Sequence, residues 1–161
     1  SLLFACRTDK KLETGGLSVT GNYCKYSDNN FLALPFQLFK NEAPGSVTNF
    51  AQLTKQGFFN NKNFHRVVPN FVIQGGCPRG DGYGSLDYTI RSELPYLHYN
   101  EGGYVGMASA GNNTEGTQFF ITHSPTPHLD GKYTIFGKVS KGMEVVQKIA
   151  VGDVITEITL D

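Results

Sequence analysis

The chain has 161 residues, 14 of them basic and 14 acidic, and a formal net charge of zero, so it offers no basic stripe for nucleic acid. That length suits one domain able to bury a core without staples, and no apolar run approaches the ~20 residues of a membrane span. Only 17% of residues are charged, while 19 Gly, 12 Phe and 8 Tyr shift the balance towards strands and turns and away from long surface helices.

Residues 1–30 are polar and rich in turn signals: Thr14-Gly15-Gly16, Gly21-Asn22 and Ser27-Asp28-Asn29-Asn30. The chain begins with Ser1 and shows no charged-then-apolar leader, so it is read as a trimmed piece, and cytoplasmic and exported settings both fit. Residues 31–39 alternate, with Leu32, Leu34, Phe36 and Leu38 on one side, which predicts a strand made irregular by Pro35. Pro44-Gly45 breaks the chain. Ser46 is then expected to cap a helix running through Gln56 and ending at Gly57, with Val47, Phe50, Ala51 and Thr54 on its apolar face. Residues 64–68 and 71–75 read as strands, 76–86 as a loop, and 103–109, 117–122 and 133–139 as further strands. Met143, Val145, Val146 and Ile149 predict a short helix over 142–150. The alternation of Val154, Thr156, Ile158 and Leu160 against Ile155, Glu157 and Thr159 suits a closing strand. Many short strands separated by turns argue for an antiparallel barrel.

Two stretches hold the chemistry. One is Phe64-His65-Arg66-Val67-Val68-Pro69-Asn70-Phe71-Val72-Ile73-Gln74-Gly75-Gly76; the other runs from Met107-Ala108-Ser109 through Thr117-Gln118-Phe119-Phe120-Ile121. On one continuous strand Arg66 and Gln74 would share a face because their separation is even, although Pro69-Asn70 interrupts such a strand. Gln118 and Phe120 also share a face, opposite Phe119 and Ile121. A guanidinium and two amides beside aromatic rings suit the grip of a neutral peptide. Neither stretch holds an activated nucleophile, which excludes a recognisable hydrolase or lyase site.

These stretches resemble the cyclophilins, the cyclosporin-binding family of peptidyl-prolyl cis–trans isomerases. Residues 64–76 match the family's first motif and residues 107–121 its second. Leu129-Asp130-Gly131-Lys132 with Phe136-Gly137-Lys138-Val139 matches a third, and the likeness covers roughly residues 34–160. The resemblance implies a mainly β fold, a closed eight-stranded antiparallel barrel capped by two helices. It places residues 17–161 in the isomerase domain and 1–16 in an N-terminal extension or the tail of a preceding region, with residues 17–20 as the first strand. It implies catalysis by Arg66, Gln74 and Phe71. The implied substrate-binding residues are Val72, Ala108, Ser109, Gln118, Phe120, His128, Leu129 and Tyr133, while Phe64, Phe119 and Ile121 are core. No cofactor or metal is implied. Exposed X-Pro bonds of peptides and unfolded proteins are the implied substrates, and a monomer is expected.

Four positions depart from common members of the family. Val72 stands where many relatives carry Met, and Ser109 where eukaryotic members carry Asn. His128 replaces a cyclosporin-contacting Trp and Tyr133 a groove histidine, both as in bacterial-type members. Cyclosporin binding is therefore expected to be weak. A second functional class fits the same residues: a non-catalytic proline-peptide binding module within a larger protein.

Other signals carry less. His65, His98, His123 and His128 match no metal spacing, and Cys6, Cys24 and Cys77 form no CxxC pair, leaving a Cys6–Cys24 disulfide or free thiols. Arg79-Gly80-Asp81 spells an adhesion tripeptide but reads as a turn with its own ion pair. Asn112-Asn113-Thr114 is a glycosylation pattern inside the second motif, and the glycines of 75–84 lack the Lys-Ser/Thr of a phosphate loop.

Overall fold

A computed structural model describes residues 2–7 and 31–160, with side chains from residue 34 onward. The strands are β1 (Leu2–Arg7), β2 (Phe31–Ala33), β3 (Phe36–Leu38), β4 (Lys62–Val68), β5 (Val72–Gly75), β6 (Tyr104–Met107), β7 (Phe119–Thr122), β8 (Ile135–Val139) and β9 (Val154–Leu160). They form one curled antiparallel sheet in the order β2-β1-β3-β8-β6-β7-β5-β4-β9, and β1 also pairs with β9. Two α-helices, α1 (Pro44–Lys55) and α2 (Met143–Val146), accompany it, with a 3-10 turn at Pro127–Leu129. No helix is long and apolar enough to cross a membrane.

Period-two alternation builds two apolar layers. Ile73, Val105, Phe119, Ile121 and Phe136 face the main core, while their neighbours Val72, Tyr104, Phe120 and Ile135 form a second cluster on the other face with Tyr99 and Leu129. The expected core residues Phe64, Phe119 and Ile121 are fully buried. Phe50 of α1 sits at the centre of the main core, its ring centroid 4.6 Å from Phe59, 5.2 Å from Phe136 and 5.5 Å from Phe119. Each such buried ring contributes about 1.5–3 kcal/mol of transfer free energy.

Several elements differ from their sequence expectations. The strand expected over 31–39 is two strands, because Pro35 has no N–H for the ladder; its carbonyl instead accepts from the Ser140 N–H at 3.0 Å. Ser46 does not cap α1. The helix starts at Pro44, and Ser46 lies buried in its first turn with its hydroxyl unpartnered. The Glu93 carboxylate does the capping, accepting the Gly45 N–H at 2.9 Å and the Ser46 N–H at 2.8 Å. In β9 the buried residues are Ile155 and Ile158, which strict alternation would put on opposite faces. A register shift resolves this: Ala5 pairs with Glu157 but Cys6 with Ile155, so Thr156 is an extra residue that reverses the facing. Residues 17–20 and Cys24 lie outside the described residues, and the strand paired with β9 at that end is β1.

Candidate active site

A β-bulge sets the stage. In the β4–β5 hairpin Phe64 pairs with Gly75 and Arg66 with Gln74, so His65 is the extra residue. The bulge puts Phe64 on the core face and Arg66 on the opposite one, while the unbroken register from Val68 with Val72 to Arg66 with Gln74 makes Arg66 and Gln74 cross-strand partners and not, as an even spacing on one strand suggested, neighbours along a single edge. The row continues across the sheet, since Gln74 pairs with Phe120 and Phe120 with Gly106 of β6. Guanidinium, amide and ring thus stand side by side on one face.

Beside this row lies a cavity of about 160 Å³ lined by Arg66, Phe71, Val72, Gln74, Ala108 and Ser109, closed by Phe120, Leu129 and Tyr133. Nine of the eleven expected site residues line it. Val72 and Phe120 make its floor, 2% and 5% exposed, whereas Arg66 is exposed and free to meet a ligand. The Phe120 ring packs edge-on against Tyr133 at 5.8 Å. The other two expected residues sit nearby. His128 lies over Phe71 with ring centroids 5.2 Å apart, at the rim. Gln118 stands behind Gln74 and is tied into a chain of amides. Arg66 Nη1 donates to Gln74 Oε1 at 3.3 Å, Gln74 Nε2 donates to Gln118 Oε1 at 3.0 Å, and Gln118 Nε2 donates to Gly82 O at 2.9 Å and Gly84 O at 3.2 Å.

The electrostatics favour a fixed cation above an apolar floor. The Arg66 guanidinium lies 5.9 Å from the centroid of the Phe71 ring, within range of the aromatic quadrupole. Below it His65 has a buried, unpartnered Nδ1. Burial holds its pKa below the ordinary value, with the Arg66 charge acting the same way and Asp81 and Gln118 opposing. The ring is therefore predominantly neutral at pH 7 and adds no positive charge beside Arg66.

Two residues of the site escaped sequence reading. Tyr99, fully buried, stacks on the far side of Phe120 at 5.9 Å and donates its hydroxyl to Tyr133 O at 3.2 Å. Burial keeps that phenol protonated, its pKa raised well above the ordinary value, with Asp130 and Tyr133 adding to the rise. Gly106 is the other: a β-carbon there would collide with both the Phe120 ring and the Tyr99 hydroxyl. A glycine inside an otherwise apolar strand is the one sequence signal of such a close approach.

The groove extends along the end of β6. The Ala108 N–H is committed to Gln118 O at 3.0 Å. Among the described residues no hydrogen bond uses the Ser109 backbone, so an extended peptide has a free edge there. The remaining histidines are dispersed, His98 against Asp130 at 3.1 Å and His123 against Val146 O at 3.2 Å. The Arg79-Gly80-Asp81 tripeptide closes on itself through a 2.7 Å ion pair.

A family profile described as cyclophilin type peptidyl-prolyl cis-trans isomerase/CLD matches residues 27–160. The chain belongs to the cyclophilin-type peptidyl-prolyl cis–trans isomerases. It is 47% identical over 131 residues to peptidyl-prolyl cis-trans isomerase B of Bacillus subtilis, covering 80% of this chain and 90% of that one. A Helicobacter pylori peptidyl-prolyl cis-trans isomerase is 43% identical over 128 residues, with 78% of each chain covered. Among solved structures, a Cryptosporidium parvum cyclophilin-type isomerase determined in the presence of the dipeptide Ala-Pro superposes with a TM-score of 0.75 at 34% identity, over 80% of this chain and 92% of that one. This cyclophilin is accordingly an isomerase of X-Pro peptide bonds with a mainly β, cyclophilin-like fold and two helices.

Proposed function

We propose that Arg66 carries the isomerisation, with the proline ring seated on Phe71, Val72, Phe120 and Leu129 and closed by Tyr133. An X-Pro amide resists rotation by ~18–20 kcal/mol because the nitrogen lone pair is conjugated with the carbonyl. Twisting ends that conjugation, and the prolyl nitrogen becomes pyramidal and basic. A donor aimed at that nitrogen stabilises the twisted state more than the planar one, which lowers the barrier without breaking a bond. The observation that carries this reading is the exposed guanidinium of Arg66 at the edge of an apolar cleft shaped by two aromatic rings.

Gln74 holds the guanidinium through its carbonyl oxygen, and Gln118 backs Gln74 from behind. Ala108 and Ser109 line the groove for the residue before proline, with the open Ser109 backbone supporting β-type pairing. His128 on Phe71 edges the cleft. Proline-containing peptides and unfolded chains are the proposed substrates, with weak cyclosporin binding and a monomeric state. The pairing of β1 with β9 supports a closed eight-stranded barrel running β1-β3-β8-β6-β7-β5-β4-β9. The same pairing supports counting residues 2–7 with the isomerase domain and not with a preceding extension.

Exchange NMR on an Ala-Pro peptide tests the role of Arg66. Arg66→Ala is expected to stay folded and lose most of the exchange enhancement; unchanged enhancement removes Arg66 from the mechanism.

A further inference from the structure

Gln118 has no amide hydrogen left for substrate, because both face the carbonyls of Gly82 and Gly84. Those carbonyls belong to an arch over residues 77–84. At its foot Cys77 is fully buried and lies outside the cleft. The Cys77 sulfur accepts the N–H groups of Gly82 and Gly84, each at 3.3 Å, and its carbonyl accepts the Gly80 N–H at 3.1 Å. The same two glycines thus donate inward to Cys77 and accept outward from Gln118. Gly80 and Gly82 hold φ of +74° and +88°, an arch geometry with little regular backbone pairing of its own. Burial alone raises the thiol's pKa. The N–H groups of Gly84, Arg79, Gly82 and Asp81 outweigh it and hold the value below the ordinary one, which agrees with a sulfur acting as acceptor.

We infer that Cys77 is a positioning residue for the isomerisation: its sulfur anchors the Gly82–Gly84 arch, whose carbonyls fix Gln118, which orients Gln74 and through it Arg66. The inference rests on the reading of Arg66 given above. It differs from a purely structural role in one respect. Loss of the sulfur must act on turnover through Gln118, and not only on stability.

The test uses the full chain, an Ala-Pro peptide, and thermal melts alongside exchange kinetics. Cys77→Ala is expected to lower kcat about tenfold with KM within about twofold, since a small displacement of a positioned group acts mainly on the transition state. Cys77→Ser keeps a neutral side-chain acceptor beside Asp81, whose Oδ1 lies 3.8 Å from the sulfur, and is expected to recover most of that loss. In a Gln118→Ala background, Cys77→Ala is expected to slow turnover no further. Wild-type kcat in Cys77→Ala, with only a lower melting temperature, overturns the inference. So do losses that multiply in the double variant. If Cys77→Ala does not fold, Cys77→Val, which fills the space without an acceptor, carries the same comparisons. Arg66→Ala runs in parallel. An active Arg66→Ala sinks the catalytic reading itself, whereas an inactive Arg66→Ala beside a fully active Cys77→Ala sinks the Cys77 inference alone.

Discussion

Arg66 and Gln74 face each other across the β4–β5 hairpin, and the guanidinium Nη1 donates to the amide oxygen at 3.3 Å. The arrangement leaves the remaining donors of the fork free above the cleft. The unbroken register of Arg66 with Gln74, Val67 with Ile73 and Val68 with Val72 supplies the facing, and the bulge at His65 turns Phe64 into the core while Arg66 keeps the cleft face.

Arg66→Lys keeps the charge but loses the planar fork, so one ammonium cannot hold Gln74 and meet the prolyl nitrogen in the same way. A protease-coupled proline assay is expected to show kcat/KM reduced at least about tenfold. Retention of wild-type activity would show that charge alone suffices.

Gly106→Ala places a methyl group against the Phe120 ring and the Tyr99 hydroxyl. Overpacking of this kind costs about 1–3 kcal/mol. Urea denaturation is expected to show that loss, and displacement of Phe120 into the cleft is expected to raise KM for an Ala-Pro peptide.

Glu93→Ala removes the carboxylate that caps α1 and leaves the Gly45 and Ser46 N–H groups without a protein partner. The expected cost is about 1–2 kcal/mol, read as a lower denaturation midpoint, and salt should narrow the difference between variant and wild type. Ser46→Ala, by contrast, is expected to leave the midpoint nearly unchanged, because its hydroxyl caps nothing.

His65 gives a pH dependence of known sign. Its folded-state pKa is held below 6.5, chiefly by burial, so on acidification the unfolded chain takes up this proton first. Stability present above 6.5 is therefore lost as pH falls towards the lowered folded value. Denaturation midpoints of wild type and His65→Gln between pH 7.5 and 5 check this: the wild type is expected to fall more steeply.

His128→Trp adds a large apolar face and an indole donor beside Phe71, whose ring lies 5.2 Å from that of His128. Calorimetry is expected to show tighter cyclosporin binding than for the wild type. Equal affinities would mean that position 128 does not limit it.

Much of the site can be read along the chain. The alternation Phe119-Phe120-Ile121 encodes one face for the core and one for the cleft, and side-chain direction in a strand follows parity alone. A guanidinium and two amides beside aromatic rings, with no activated nucleophile among them, suit peptide gripping on residue types alone. Parity failed where a bulge intervenes. Phe64 and Arg66 take opposite faces because His65 is extra, and Ile155 and Ile158 share one because Thr156 is extra.

What the sequence by itself determined was therefore the strand pattern, the family and the set of side chains around the cleft, all written in neighbours along the chain. Tertiary structure alone decided that Glu93 caps a helix 48 residues away, that Tyr99 backs Phe120, and that Cys77 reaches Gln118 through an arch of backbone. The reason is physical. Local periodicity dictates which way a side chain points, but an unsatisfied N–H or an unfilled space is met by whatever group the long loop between β5 and β6 brings to it, and no spacing along the chain records that meeting.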